Sequence, residues 1–280
     1  SMEGYAFLLK VLRENKGVTS LEERKEMAGK AFLVSSGYDT AIASYFHAGQ
    51  SFCKSIKGAT PLRYGENPHQ KGVFYGDLAA AFNKLSGKEL SYNNLLDIDA
   101  AAGFIREFTA PTFAVLKHNN TCGAASRNDL MVAWKAALAG DPVSAFGGIL
   151  VTNRTIGKDV AAEIDKFFFE VLIAPAFDPA AVALLTGKKN RILLEQKMTS
   201  WPAVRFRSVL NGVLEQEADD RTEGEGDMKV VTTRRPSPAE LADMAFAVRV
   251  VKHLKSNGIA LVKDGQLIGS GAGQTSRVDA

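Results

Sequence analysis

The sequence predicts an α/β fold, a sheet with helices packed on its faces. Three observations predict it. Between Cys53 and about Lys197, short apolar runs alternate with longer stretches of helical periodicity. The runs Phe113 to Leu116 and Val171 to Ala174 have the length of buried strands. At 280 residues the chain exceeds one typical domain and suggests two, with length for a sizeable core.

The elements follow in order. Tyr5 to Glu14 carries Phe7, Leu8, Val11 and Leu12 at helical spacing, and Lys16-Gly17 reads as its stop. Ser20-Leu21-Glu22-Glu23 is a capping box, which predicts a helix to about Val34. A further helix is predicted from about Ser36 to Phe46. Val73 to Tyr75, Phe113 to Leu116, Gly148 to Val151, Val171 to Ala174 and Arg191 to Leu194 read as strands. Ile98 to Phe108, Leu130 to Leu138, Lys158 to Phe168 and Pro179 to Thr186 read as helices.

Glu215 to Asp227 is acidic and short of apolar residues, so it reads as a solvated loop or linker. Ser237 then caps a helix, with Pro238 at its first position and Glu240 completing a box. Gly258 to Val262 and Gln266 to Gly269 form a hairpin around Asp264-Gly265, a turn dipeptide.

Composition excludes several classes. Hydrophobic residues at 46% and charged residues at 23% are ordinary for a soluble globular protein. The net charge of +3, from 34 basic and 31 acidic residues, is too balanced to argue for nucleic acid. Cys53 and Cys122 are the only cysteines, too few for a disulfide framework, which predicts a reducing compartment. No apolar stretch approaches the roughly 20 residues of a membrane helix. The opening Ser1-Met2-Glu3-Gly4-Tyr5 has no basic leader and predicts no signal peptide; Ser1 before Met2 reads as a tag remnant.

The most informative segment is Lys117-His118-Asn119-Asn120-Thr121-Cys122-Gly123, directly after the run Phe113 to Leu116. It reads as a strand delivering a histidine and a lysine at its tip. Histidine shuttles protons near neutral pH, and an ammonium stabilises developing negative charge. Taken alone, such a pair more often marks a solvated surface. Four further polar clusters accompany it. They are Leu62-Arg63-Tyr64-Gly65-Glu66-Asn67-Pro68-His69-Gln70, Leu90-Ser91-Tyr92-Asn93-Asn94, Asp141 to Gly148, and Ser256-Asn257 with Gly271 to Arg277. Arg63 suits a phosphate through its planar fork, and Tyr64 suits a heterocycle through stacking. The bland reading of both is a surface loop. Gly271-Ala272-Gly273 lacks the full dinucleotide-loop spacing. Cys122 has no partner two residues away and no His-x-Glu stands nearby, so no metal is predicted.

These five motifs, in this order from about Thr19 to the last residue, resemble the bifunctional purine-biosynthesis family. That family joins a transformylase for the aminoimidazole carboxamide ribonucleotide (AICAR) to an inosine monophosphate (IMP) cyclohydrolase. The resemblance implies a cytidine-deaminase-like three-layer domain over 51–198. It implies a helical cyclohydrolase tail over 1–50, a linker over 199–236 and the truncated start of a second such domain over 237–280. It implies formyl transfer from 10-formyltetrahydrofolate, as co-substrate, to the exocyclic amine of AICAR, without metal.

In that scheme Lys117, His118 and Asn257 are catalytic, and Arg63, Tyr64, Asn94, Phe146, Gly147, Glu170 and Arg277 bind the nucleotide. His69 is structural. Phe146 could equally be plain core, and Glu170 a solvated strand end. The resemblance also implies a cytoplasmic homodimer with the site at its interface, and no nucleic-acid or membrane partner. Where the family usually carries proline this chain has Thr121, which bears on the stiffness of the turn. Two rival readings stand beside it, a zinc-dependent deaminase-like hydrolase and an inactive structural fragment. Stoichiometric zinc would favour the first, and aggregation through exposed apolar surface the second.

Overall fold

The computed structural model describes residues 3–47, 49–276 and 278. It divides into two compact units, one of residues 1–57 with 206–216 and one of residues 58–205 with 217–280. The first unit opens with α1 (Glu3–Glu14) and α2 (Leu21–Phe46). Ser20 caps α2 through its hydroxyl and Glu23 returns the bond, as the sequence predicts. The two helices expected over 20–34 and 36–46 are one helix of 26 residues. Gly37 sits inside it: without a proline, one glycine lowers helix propensity but does not break the hydrogen-bond ladder.

In the second unit β1 (Ala59–Pro61) and β2 (Val73–Tyr75) pair as a small antiparallel ribbon. The chain continues through α3 (Leu78–Ala81), β3 (Phe82–Ser86), α4 (Tyr92–Ile105), β4 (Thr112–Lys117) and β5 (Asn120–Ser126). Then come α5 (Leu130–Gly140), β6 (Ile149–Thr152), α6 (Lys158–Asp165), β7 (Val171–Ala174), α7 (Pro179–Leu185) and β8 (Ile192–Gln196). A hairpin follows, β9 (Val204–Val209) with β10 (Gly212–Glu217), its tip in the first unit. The last elements are α8 (Pro238–Lys252), β11 (Ile259–Lys263) and β12 (Gln266–Gly271).

Eight strands form one mixed sheet in the order β11-β12-β5-β4-β6-β7-β8-β3. The pairs β6–β7 and β7–β8 are parallel, and the remaining neighbours are antiparallel. Alternate residues of each central strand enter opposite cores, as period two demands. Phe113, Val115, Leu150, Leu172 and Leu193 pack with Trp134 of α5, Ile164 of α6 and Leu185 of α7. Ala114, Leu116, Val151, Ile173 and Leu194 pack with Ile98 and Phe104 of α4 and with Phe246 and Val250 of α8. Helices therefore cover both faces, and the α/β expectation is met.

Several expectations change. Helix α4 begins at Tyr92, six residues before the expected Ile98, because Ser91 and Asn94 form a capping box. Strands β3 and β5 carry too little β-branched or aromatic character to read as strands, and the sheet itself supplies their pairing. Helix α8 and the β11–β12 hairpin lie in the same compact unit as the sheet. Phe246, Val250 and Leu267 fill its core, and Gln266 pairs with Ala125 of β5.

The acidic stretch of 215–227 is not simply solvated. Asp220 pairs with Arg106, and the Thr222 hydroxyl donates to Glu107 Oε2 at 2.7 Å. Lys252 Nζ and His253 Nε2 lie 3.0 and 3.2 Å from Glu107 Oε1. Burial would raise the Glu107 carboxyl, but hydrogen bonds from His253, Thr222 and Lys252 bring it down to about 2.

Candidate functional site

The site is built around the start of α4 and the tip of the β4–β5 hairpin. Lys117 pairs with Asn120, leaving His118 and Asn119 as a two-residue turn. Their φ values of 51° and 64° are both left-handed. That is the type I′ geometry which matches the twist of paired strands. Asparagine suits it; histidine enters that region far less readily than glycine, so its presence costs backbone energy. The hairpin leaves His118 exposed and Lys117 half-buried. Lys117 Nζ donates to the Phe146 carbonyl at 2.9 Å.

Phe146 and Gly147 lie in the loop that enters β6. Gly147 has φ +74°, and a Cβ there would stand 3.3 Å from the Phe168 ring. Its N–H donates to the Phe168 carbonyl at 2.9 Å, and Glu170 N–H donates to the Gly148 carbonyl at 3.1 Å. Phe146 is 58% exposed, with its ring 5.0 Å from that of Phe168. It is therefore an open aromatic face rather than core.

Glu170 sits just before β7. Its Oε2 accepts from Asn94 Nδ2 at 3.2 Å and pairs with Lys88 Nζ at 3.3 Å. Asn94 is buried, and its Oδ1 accepts from Arg63 at 3.3 Å and from the Ser91 N–H at 3.2 Å. One carboxamide thus caps its own helix and joins an arginine to a glutamate. The guanidinium of Arg63 lies 5.1 Å from the Tyr64 ring centroid. The loop that carries both is tied to α4 by Tyr92 N–H to the Tyr64 carbonyl at 3.4 Å and Asn93 Nδ2 to the Glu66 carbonyl at 3.0 Å.

Sequence reasoning missed Asp97, one turn after Asn94 on α4. Its Oδ1 accepts from the Asn119 N–H at 2.7 Å. Burial pushes the Asp97 carboxyl up; the Asn119 hydrogen bond and the nearby His118 pull it down, and Glu170 raises it further. The spacing Asn94-x-x-Asp97 was the available signal, since residues three apart share a helix face.

Beside the turn lies a cavity of about 650 Å³ lined by Lys117, His118, Thr121, Cys122, Asp141 and Ser270, among others. Hydrogen bonds from Ser144 lower the Asp141 carboxyl. Burial, with Asp141 nearby, pushes the Cys122 thiol up to about 11, so it is no thiolate near neutral pH.

Arg63, Tyr64, Asn94, Phe146, Gly147, Glu170, Lys117 and His118, all singled out by sequence, fall into this one connected set. Asn257 does not. Its Nδ2 donates to the Gln274 carbonyl at 3.1 Å, tying the loop between α8 and β11 to the segment after β12. Arg277 lies outside the described residues. Among the described residues, no group of three or more His, Cys, Asp or Glu side chains is arranged to hold a metal ion, and no helix is long and apolar enough to cross a membrane.

The family profile described as AICARFT/IMPCHase bienzyme matches residues 1–280. The chain is 54% identical over 282 residues to the bifunctional purine biosynthesis protein PurH of Bacteroides thetaiotaomicron, covering 100% of this chain and 56% of that protein. It is 46% identical to the protein of the same name from Rhodospirillum rubrum, covering 99% of this chain and 56% of the relative. The figures for the Chloroflexus aurantiacus protein of that name are 45%, 99% and 55%. The chain thus spans little more than half the length of these curated relatives.

Proposed function

Because this chain belongs to the AICARFT/IMPCHase bienzyme family, we propose that it carries the formyl-transfer centre of a purine-synthesis enzyme. The reaction moves a formyl group from 10-formyltetrahydrofolate to the exocyclic amine of AICAR. In the longer protein, ring closure to IMP follows. One observation carries this reading. Arg63, Asn94 and Glu170 form a continuous polar strip, and the Glu170–Gly148 and Lys117–Phe146 hydrogen bonds tie it, through the loop between Phe146 and Gly148, to Lys117, the neighbour of His118.

The chemistry suits those side chains. The AICAR amine is a poor nucleophile because its lone pair is delocalised into the imidazole and carboxamide. His118, exposed at the tip of its turn, takes the amine proton as the new N–C bond forms. Lys117 faces the developing oxyanion, then protonates the folate nitrogen as the old C–N bond breaks. A positioned base contributes about 10²–10⁴-fold, and one oxyanion donor roughly 2.7–4 kcal/mol. Arg63 meets the phosphate, Tyr64 and Phe146 the base, and Asn94 with Glu170 the sugar side of the nucleotide. Asn257 and Arg277 remain candidates on resemblance alone.

The same family membership supports a cytidine-deaminase-like reading of the three-layer sheet and helices. It supports α1 and α2 as the tail of a cyclohydrolase domain, and α8 with the β11–β12 hairpin as the opening of a second transformylase domain. A cytoplasmic homodimer, with its site at the interface and folate and AICAR as ligands, completes the proposal.

The test is formyl transfer from 10-formyltetrahydrofolate to AICAR by this chain and by His118→Ala. Turnover in the wild type that falls at least about 100-fold in the variant supports the reading. Equal turnover in both removes His118 from the reaction. No turnover in either, with no AICAR binding by calorimetry, makes the chain an inactive fragment. Stoichiometric zinc by elemental analysis would favour the deaminase-like hydrolase.

A further inference from the structure

We infer that Asp97 is the positioning residue that fixes the turn presenting His118, and that α4 thereby sets both halves of the site from one face. The inference rests on the formyl-transfer reading for its catalytic consequence, and on geometry for the rest. Asn94 and Asp97 are three residues apart on α4, so their side chains lie on one helix face. Asn94 holds Arg63 and Glu170. Asp97 holds the Asn119 N–H at 2.7 Å.

The connections close a ring. From Asn94 they run through Glu170 to Gly148, along the loop to Phe146, and by its carbonyl to Lys117. From Lys117 the turn leads through His118 to Asn119 and back to Asp97 on the helix. A left-handed conformation at His118 costs backbone energy; the strand pairing on either side supports it, and a contact from outside the turn holds it further. A carboxylate accepting the next N–H does so, because a charge-assisted hydrogen bond is about twice as strong as a neutral one. Asp97 also lies within electrostatic range of His118. Asp97 therefore acts through the turn that carries His118, by its hydrogen bond to the Asn119 N–H.

Two variants separate these contributions. Asp97→Ala removes both acceptor and charge; Asp97→Asn keeps an oxygen acceptor and removes the charge. Hydrogen exchange at the Asn119 amide reads the turn directly, with the Leu150 amide of the core strand β6 as the control for folding. The expected result is exchange at Asn119 faster by about tenfold or more in Asp97→Ala, the measure of a hydrogen bond to a charged group. Leu150 is expected to be unchanged, and Asp97→Asn to fall between Asp97→Ala and the wild type. In the formyl-transfer assay kcat falls by about tenfold or more in Asp97→Ala, while KM for AICAR stays within about threefold. Asp97→Asn restores part of kcat. Unchanged exchange at Asn119 in Asp97→Ala overturns the inference, as does a released turn with kcat intact. A wild-type chain without turnover overturns the formyl-transfer reading instead, and the Asn119 exchange still decides whether Asp97 holds the turn.

Discussion

Asn94 Nδ2 donates to Glu170 Oε2 at 3.2 Å, joining the first turn of α4 to the residue before β7 across 76 positions of sequence. The same carboxamide accepts from Arg63. An amide is suited to this place because it donates to an anion and accepts from a cation at once. Asn94→Ala is expected to weaken AICAR binding by about tenfold or more, since Arg63 and Glu170 each lose a partner. Asn94→Asp is expected to be worse, because two carboxylates then face each other. Calorimetric titration with AICAR measures both, and unchanged affinity would remove the strip from the proposed nucleotide site.

Thr121 is 2% exposed, and its Oγ1 has no hydrogen-bond partner among the described residues. A buried hydroxyl without a partner costs about 1–3 kcal/mol. Thr121→Val keeps the shape and removes the hydroxyl, so it is expected to raise stability by about 1 kcal/mol. A urea melt gives the sign, and a lower midpoint would show that the hydroxyl is hydrogen-bonded in solution.

Glu107 gives the protein a defined acid response. Its carboxyl, ordinarily near 4.5, is held at about 2 in the fold. A depressed carboxyl contributes stability that is fully present above its unfolded value and is lost as pH falls through its folded value. The contribution, up to roughly 3 kcal/mol, therefore disappears between about pH 4.5 and pH 2. Glu107→Gln is expected to lower stability at neutral pH by about 3 kcal/mol, because Lys252 loses its buried partner. It is also expected to flatten the acid limb. Urea midpoints between neutral pH and pH 3 test this, and parallel curves for the two proteins would refute it.

Gly123 in β5 passes against α5 so closely that a Cβ would stand 2.1 Å from the Ala137 carbonyl oxygen. Backbone lies on both sides of the contact, so neither can yield like a flexible side chain. Gly123→Ala is expected to cost about 3 kcal/mol or more, read as a fall in melting temperature.

Much of this was legible in the chain. The buried strands β4, β6, β7 and β8 announce themselves as apolar runs. The caps at Ser20 and Ser237 announce α2 and α8. These signals are local, carried by side chains within one turn or one strand of each other. Strands β3 and β5 gave no such signal, since their pairing comes from partners more than a hundred positions away for β3, and from the turn geometry for β5.

The sequence by itself determined the family, the α/β class, and the polar residues gathered at the tip of β4 and in the neighbouring loops. Only the tertiary structure decided which of them touch. It joined Arg63, Asn94 and Glu170, tied Asn257 to Gln274, moved Thr222 from a solvated stretch onto Glu107, and brought Asp97 to the turn. The reason is physical. Patterning and capping depend on neighbours along the chain, whereas a hydrogen bond between distant residues exists only once packing has fixed the elements that carry them.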